Sequence, residues 1–511
     1  RQVGRGVALF AGPVALIVLA VGSLTFAAGY AGTFGGFPRD SALLVNGAAV
    51  RTDRGVSGSP DGPNDTSGAA RLAAVRGVTA VSPAIVDSGT VGDSDVAVVA
   101  ADASALPTML PIGGYLLDTG DLARRVQVPG VLAGVELPSG SKQLSATVAV
   151  AGGDGAADVT GGTAWLATST GEVVPVAGKV APAPAGGGTA AAAIAFALPD
   201  GAARLVAFDV ALEAPDGAAD LGVRVSGLPS GAGGWVPATA AFGDAGAFRA
   251  DGALGARAAS FTGDASVRFV PPGASALPLA VTTALAQDNA LQVGQRIEVR
   301  SPVGDLQGTV AAIVPALPGT SDERAVFADL PALTAELLRS SASVSRASSV
   351  WLATDRADDP ETVANAVRAE VGPDATVSTA SGAFVARFLG GAVASTWLGA
   401  AGCALLAVAA VVAAITAALR RRRGEVVVLR AVGLSGRQQA WARRLEVIGV
   451  SFAAGVFGLL GGVVVVLLVG NTLARLSVVT APSTLSVQGR VDPVGMGLGI
   501  LALVAALAVA V

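Results

Sequence analysis

The reactive chemistry of this chain is concentrated in arginine. Eight arginines (420, 421, 422, 423, 430, 437, 443 and 444) fall between two uncharged apolar runs, 398–419 and 447–469. Glu425 lies inside the cluster and Glu446 at its far end. Guanidinium groups bind lipid phosphates or a partner's carboxylates, but they stay protonated and are poor proton donors. The chain has no His, which excludes His-based triads, His metal sites and His proton relays. Its one Cys, Cys403, sits in an apolar run, which excludes a disulfide framework and a Cys-rich metal site. The two lysines, Lys142 and Lys179, are not in a GxxxxGK[ST] loop, so the chain carries no phosphate-binding loop of its own. Asp93-Ser94-Asp95 supplies too few oxygens for a cation and reads as a turn. Asp358-Asp359 reads as a helix N-terminus. No acidic pair stands out as a glycosidase pair. No catalytic residue, cofactor or metal is therefore expected, and the arginine cluster is left as a binding surface.

Two membrane helices would hold that surface in place. Residues 398–419 are 22 residues without a charge, and about 20 are enough to cross a bilayer. Basic loops beside such helices are retained in the cytoplasm. The composition agrees with a mixed protein: 52% hydrophobic, mean hydropathy +0.62. Charge is split. Residues 35–387 carry 35 acidic and 22 basic groups, net −13; the rest carry 3 acidic and 12 basic, net +9. An acidic region with arginine-rich membrane edges is not a nucleic-acid binder. The first apolar run, 7–30, is too long for a signal-peptide core and reads as a retained helix, with Gly12-Pro13 as a possible kink. A fourth run begins near Val494. The chain lacks an initial Met and ends within an apolar run, so it is expected to be part of a longer protein. The expected topology is N-terminus inside, 35–387 outside, 420–446 inside, and a short outer segment before the fourth helix.

The fold class expected is an α+β membrane protein: four transmembrane helices, and a large mixed α/β extracellular domain carrying an inserted β-sandwich. The parts are helix one at 1–34, α/β domain at 35–129, inserted sandwich at 130–265, α/β domain and stalk at 266–387, and helices two to four at 388–511. In the first α/β piece, 69–76 has helical spacing with Gly77 as a stop, and 78–86 and 96–100 read as strands. In the middle, 142–150, 204–212 and 221–225 alternate with period two between Gly/Pro tracts, the pattern of separate sandwich strands. In the third piece, Asp359-Pro360-Glu361 starts a helix and 375–379 reads as a strand. The helix-then-strand order at 360–379 repeats the order at 69–86, so the two flanking pieces read as one split domain. Within the apolar runs, Gly458 to Gly462 and Gly495 to Gly499 form GxxxG spacings, read as packing within one unit in preference to dimerisation. No charge lies within a span, which argues against a proton- or ion-driven transporter.

The loop carries a specific resemblance. Arg421 to Ser435 read RRRGEVVVLRAVGLS, with Gln438 and Glu446 beyond. This resembles the loop of FtsX-type and MacB-type ABC transporter permeases, matching at Glu425, Leu429, Arg430, Ala431, Gly433, Gln438 and Glu446. It departs at Leu434, where that family often has a small residue. The pieces 69–105 and 280–333 look like the family too, whereas the middle module does not. The resemblance implies a non-catalytic permease subunit in the cell membrane, with ATPase activity on a separate cytoplasmic ABC subunit. It also implies a second permease unit, contact with membrane lipid, and a coupling loop that includes Arg423, Glu425, Leu429, Arg430, Gly433, Gln438 and Glu446. Such subunits transmit ATP-driven movement to an outer domain, to extract lipoproteins, peptides or lipids or to switch a cell-wall hydrolase. Read physically, 426–429 is one apolar side of a short amphipathic helix, for the membrane surface or a partner's groove. The plainer reading is a basic loop that only holds orientation. The alternative function is a membrane-anchored binding or adhesion protein with a glycan-binding sandwich, but an anchor needs one span.

Overall fold

A computed structural model describes residues 2–54, 67–132, 134–151, 157–182, 190–199, 201–239, 242–244, 253–273, 277–302, 304–340, 344, 346–355, 359–371, 375–380, 383–421, 436–477, 485 and 491–510. The chain folds as two units: Arg1–Ala42 with Gly382–Val511, and Leu43–Ser381.

The first unit is helical. α1 (Gln2–Asn46) continues through Pro13 and Pro38 and runs past residue 34. The candidate span within it, Ala11–Asn46, is 36 residues, about 54 Å against a hydrocarbon core of about 30 Å, and carries Arg39 and Asp40 towards its end. Within the helices described below, Gly391–Ala417 and Ile448–Val469 are also long and apolar enough to cross a membrane. A shorter apolar helix covers Pro493–Val509. Among the described residues, three helices thus meet the length and composition of a span, where four were expected. Apolar side chains of α1, including Ile17, Val21 and Leu24, pack with Ala400, Ala407 and Val411, with Ala454, and with Leu503.

Small residues set the closest approach. A Cβ on Gly458 would lie 2.7 Å from the Val18 carbonyl oxygen, and one on Gly462 would lie 2.6 Å from Thr25 Cβ. The Gly458–Gly462 spacing therefore faces α1 of the same chain, as packing within one unit requires. Gly495 and Gly499 lie against Trp397, and Gly499 also against Leu24. Asp492 starts the last helix by accepting from the Val494 and Gly495 amides at 3.1 Å each, with Pro493 at the first helical position.

The second unit holds two sheets. β1 (Val50–Arg54), α2 (Ser67–Ala73), β2 (Val78–Val91) and β3 (Ser94–Ala101) precede the short helices α3 (Leu106–Met109) and α4 (Thr119–Val126). The ten strands of the middle follow: β4 (Val135–Glu136), β5 (Gln143–Ala151), β6 (Asp158–Thr168), β7 (Val173–Ala177), β8 (Lys179–Pro182), β9 (Ala190–Ala197), β10 (Ala202–Ser226), β11 (Val236–Pro237), β12 (Phe242–Asp244) and β13 (Leu254–Val270). The chain then returns with β14 (Leu277–Thr282), α5 (Thr283–Asp288), β15 (Arg296–Ser301), β16 (Gly304–Val314), β17 (Ala325–Asp329), α6 (Leu330–Ser340), β18 (Ser349–Thr354), α7 (Pro360–Val371) and β19 (Ala375–Thr379).

Strands from both flanking pieces share one nine-stranded sheet, ordered β15-β16-β14-β17-β3-β2-β18-β1-β19. One end of it is a split βαβ arrangement. β1-α2-β2 and β18-α7-β19 interleave with all neighbours antiparallel. Their helices bury Leu72, Val363, Ala364 and Val367 against Val50, Val350 and Leu352. The helix-then-strand repetition in the sequence is the trace of these two halves. β2 is long enough to serve both ends: 78–84 pairs with β18 and 84–91 with β3. At its far end Thr90 meets Arg300 of β15, which closes β2, β3, β17, β14, β16 and β15 into a ring. Val98, Leu279, Val281, Val299, Val310 and Val326 fill that core.

The ten middle strands belong to one sheet that divides at β10. The alternating runs 204–212 and 221–225 are parts of this one 25-residue strand, where the periodicity predicted separate strands. Pro215-Asp216-Gly217 reads as a turn but is absorbed as an irregularity between Ala214 and Ala218, with Gly217 at φ +82°. β10 pairs with β13 on long stretches, with β6 near its start and with β5 near its end. Both branches feed one core containing Val148, Leu166, Ile194, Phe208, Val223 and Phe269. β13 runs through residue 265, the expected limit of the module, to Val270.

α6 ties this module to the ring. Leu333 and Leu337 enter the ring core, while Leu338 packs with Trp165, Val206 and Val270 of the module. At the start of α6, Asp329 is buried and accepts from the Ala103 amide at 3.0 Å. Burial pushes its pKa up from 3.8 to about 6; Asp102 adds to the rise, and amides of Ala103, Ala332 and Val128 pull against it. A carboxyl with a raised folded pKa holds its proton longer than the unfolded chain does. Stability due to this group is therefore greatest below about pH 4 and falls, by about 3 kcal/mol at most, as pH rises to about 6. Asp329→Asn should remove that slope. The check is the stability difference between variant and parent, followed from pH 4 to 7: it should move in the variant's favour. Movement the other way would mean that the three amides outweigh burial.

Candidate functional site

The basic loop is bounded by two helices of the helical unit, α8 (Ala383–Arg421) and α9 (Gly436–Ser477). α8 is rich in Ala and Leu, which favour helix, has no acidic residue, and ends in the arginine run. Arg420, in its last turn, is exposed, where cations complement the negative end of the helix dipole. Arg423, Glu425, Leu429, Arg430 and Gly433 lie outside the described residues, as does the apolar stretch 426–429. Gln438 and Glu446 are both on α9, eight residues apart, about 12 Å along its axis. The two residues are thus placed on one rigid element, and the other five are not placed.

α9 begins twelve residues before its apolar stretch at Ile448. This leading part, about 18 Å long, holds Arg437, Arg443 and Arg444. It also carries an apolar stripe that the sequence reading did not single out. Trp441 is 63% exposed and Leu445 51%, and the stripe continues through Ile448 and Phe452. Steps of four, three and four residues keep these side chains on one helix face. That spacing was the available signal, obscured by the neighbouring arginines. An exposed Trp at the end of an apolar helix, beside arginines, is suited to the boundary between hydrocarbon and headgroups. The chemistry available is therefore binding: apolar area on one side of α9, and guanidinium charge for phosphates or carboxylates. Among the described residues, no group of three or more His, Cys, Asp or Glu is placed to hold a metal.

Residues 397–511 match the family described as FtsX-like permease C-terminal. The match opens at Trp397 on α8 and takes in the basic loop, α9 and α10 (Pro493–Ala510). It leaves the second unit unassigned. No curated protein matches the chain.

Proposed function

We propose, from the FtsX-like permease domain at residues 397–511, that the chain is the permease subunit of an ABC transporter of FtsX or MacB type. ATP hydrolysis would reside on a separate cytoplasmic ABC ATPase. This sequence has no phosphate-binding loop, and on this reading energy enters it through a contact with the ATPase. The arginine-rich segment 420–446 is the part of the sequence suited to make it. The unit Leu43–Ser381 is then the extracellular part that moves, in extraction or export of a lipoprotein, peptide or lipid, or in mechanotransmission. A second permease unit would complete the assembly. The family match over the loop and its flanking helices is the observation that carries this reading.

In the loop, Glu425 and Arg430 are five residues apart; the short helix expected from the sequence would set them about 140° apart, facing different neighbours. One is assigned to the ATPase and the other to headgroups or a helix end. Gly433 is assigned to a helix stop that other residues form at a cost. Glu425→Lys and Gly433→Val are expected to leave the chain inserted and folded but to lower stimulation of the co-purified ATPase by roughly tenfold, the effect of a coupling energy within the usual range. The measurement is ATPase activity of the reconstituted complex together with binding of the two subunits. Parental binding and stimulation in both variants would reduce the loop to an orientation signal.

A further inference from the structure

The second unit is joined to the rest of the chain at two places, after residue 42 and before residue 382. β1 follows the first junction and β19 precedes the second. These strands are hydrogen-bonded neighbours, and they run antiparallel, so the ends closest to the junctions, Val50 and Thr379, meet each other. β19 is the last strand of its sheet and, among the described residues, pairs with β1 alone. A five-residue strand at a sheet edge ordinarily frays.

Here the pairing continues beyond the strand ends and is braced by side chains. The Ala380 amide donates to the Ala49 carbonyl at 2.9 Å. Ser378 Oγ donates to Asn46 Oδ1 at 2.8 Å, while Asn46 Nδ2 donates to the Ala48 carbonyl at 2.8 Å. Asn46 thus accepts from the outgoing segment through Oδ1, while its Nδ2 bond to Ala48 fixes the side chain on the incoming segment. The incoming segment is pinned again from the other side. The Gly319 amide donates to the Leu44 carbonyl at 2.8 Å, and Arg51 Nη1 donates to the Gly319 carbonyl at 2.9 Å. The buried Trp351 ring fills the space between Gly47 and Gly319, at φ +84° and +81°, so closely that a Cβ on Gly47 would lie 2.6 Å from it. Any larger residue at either glycine would push the indole out.

We infer that these contacts form a closed clamp at the base of the second unit: its incoming and outgoing segments stay joined, and displacement at either junction is carried into β1 and β19 together. The inference rests on the permease reading, in which the second unit is moved through these two junctions. It assigns Asn46 and Ser378 as the residues that keep the clamp shut.

Hydrogen exchange of the full chain in detergent tests it. In the parent, amides of 375–380 should exchange as slowly as those of β1. Asn46→Ala should speed exchange at 375–380 roughly fivefold, the effect of losing one hydrogen bond of ordinary worth, and leave β16 unchanged. Ser378→Ala removes the same bond from the other side and should act alike, which covers the case in which the first variant does not fold. Exchange at 375–380 roughly tenfold faster than in β1 in the parent would mark a frayed edge and overturn the clamp; so would two variants that leave 375–380 unaffected. Failure of an ATPase to bind would sink the permease reading and leave these rates as they are.

Discussion

Gly462→Leu should unfold the helical unit at far milder conditions than Gly461→Leu, although the two positions are adjacent. A Cβ on Gly462 would stand 2.6 Å from Thr25 Cβ and 2.9 Å from the Gly22 carbonyl oxygen. The carbonyl belongs to helix backbone and cannot turn aside, so α1 and α9 must separate. Without a hydrophobic force between helices in lipid, close van der Waals contact is what holds such a seam. Thr25 cannot move freely either, since its Oγ1 donates to the Val21 carbonyl at 2.9 Å. A Cβ on Gly461 meets nothing within 4 Å. Overpacking at 462 should cost roughly 3 kcal/mol, whereas 461 should tolerate Leu. Gly458→Leu should resemble 462, because a Cβ there lies 2.8 Å from Val21 Cβ. The measurement is the thermal midpoint in detergent, read as loss of monodisperse protein. Equal midpoints for the 461 and 462 variants would mean that the seam between α1 and α9 does not hold the unit together.

Arg268→Met should destabilise the second unit by about 3–5 kcal/mol, and Asp209→Leu should recover most of that loss when added to it. Asp209 of β10 and Arg268 of β13 are direct cross-strand neighbours, both largely buried. The guanidinium makes a two-pronged contact, Nε to Oδ1 at 2.7 Å and Nη2 to Oδ2 at 2.8 Å. Trp165 Nε1 donates to the same Oδ2 at 2.9 Å, and the Arg268 guanidinium carbon lies 4.9 Å from the centre of the Trp165 ring. Deleting the arginine alone strands a buried carboxylate. Deleting both charges leaves a site of similar volume beside Trp165, Val206 and Val270; the Trp165 Nε1–H loses its acceptor, so the double variant should recover most of the loss and not all of it. Stability of the four proteins in denaturant gives the coupling. A double variant as unstable as the sum of its two single variants would show that the uncompensated charge is not the source of the loss. Arg268 also reaches the Leu338 carbonyl near the end of α6, at 3.5 Å. The single variant should therefore loosen the contact between the middle module and the ring as well as the module itself.

Much of the chain was legible in sequence where the signal is local. An uncharged run is enough to make 398–419 and 447–469 apolar helices, because every residue along a membrane-crossing helix meets the same solvent. Strict alternation at 142–150 is enough to make β5, because one face of a strand is buried and the other is not. The ordered pattern from Glu425 to Glu446 led to the permease family, which the match over 397–511 supports. That pattern consists of residue types and spacing within one short segment, which can be read without knowledge of the fold.

Tertiary structure decided the questions of partnership. Pro215-Asp216-Gly217 has turn chemistry, yet β13 runs beside both halves of β10 and holds them as one strand, because cross-strand pairing outweighs a local break. Gly458 and Gly462 could face a neighbour of any kind; the glycine spacing says only that some backbone approaches closely, and α1 turned out to supply it. Asp209 and Arg268 are 59 residues apart and look like ordinary strand-surface charges until β10 and β13 are aligned. By itself the sequence determined the long apolar helices, several of the strands, where charge collects, and what chemistry the arginine loop can offer. Which strand lies beside which, which glycine meets which helix, and which charges are buried together required the fold, because each depends on residues far away in the chain whose approach no local periodicity records.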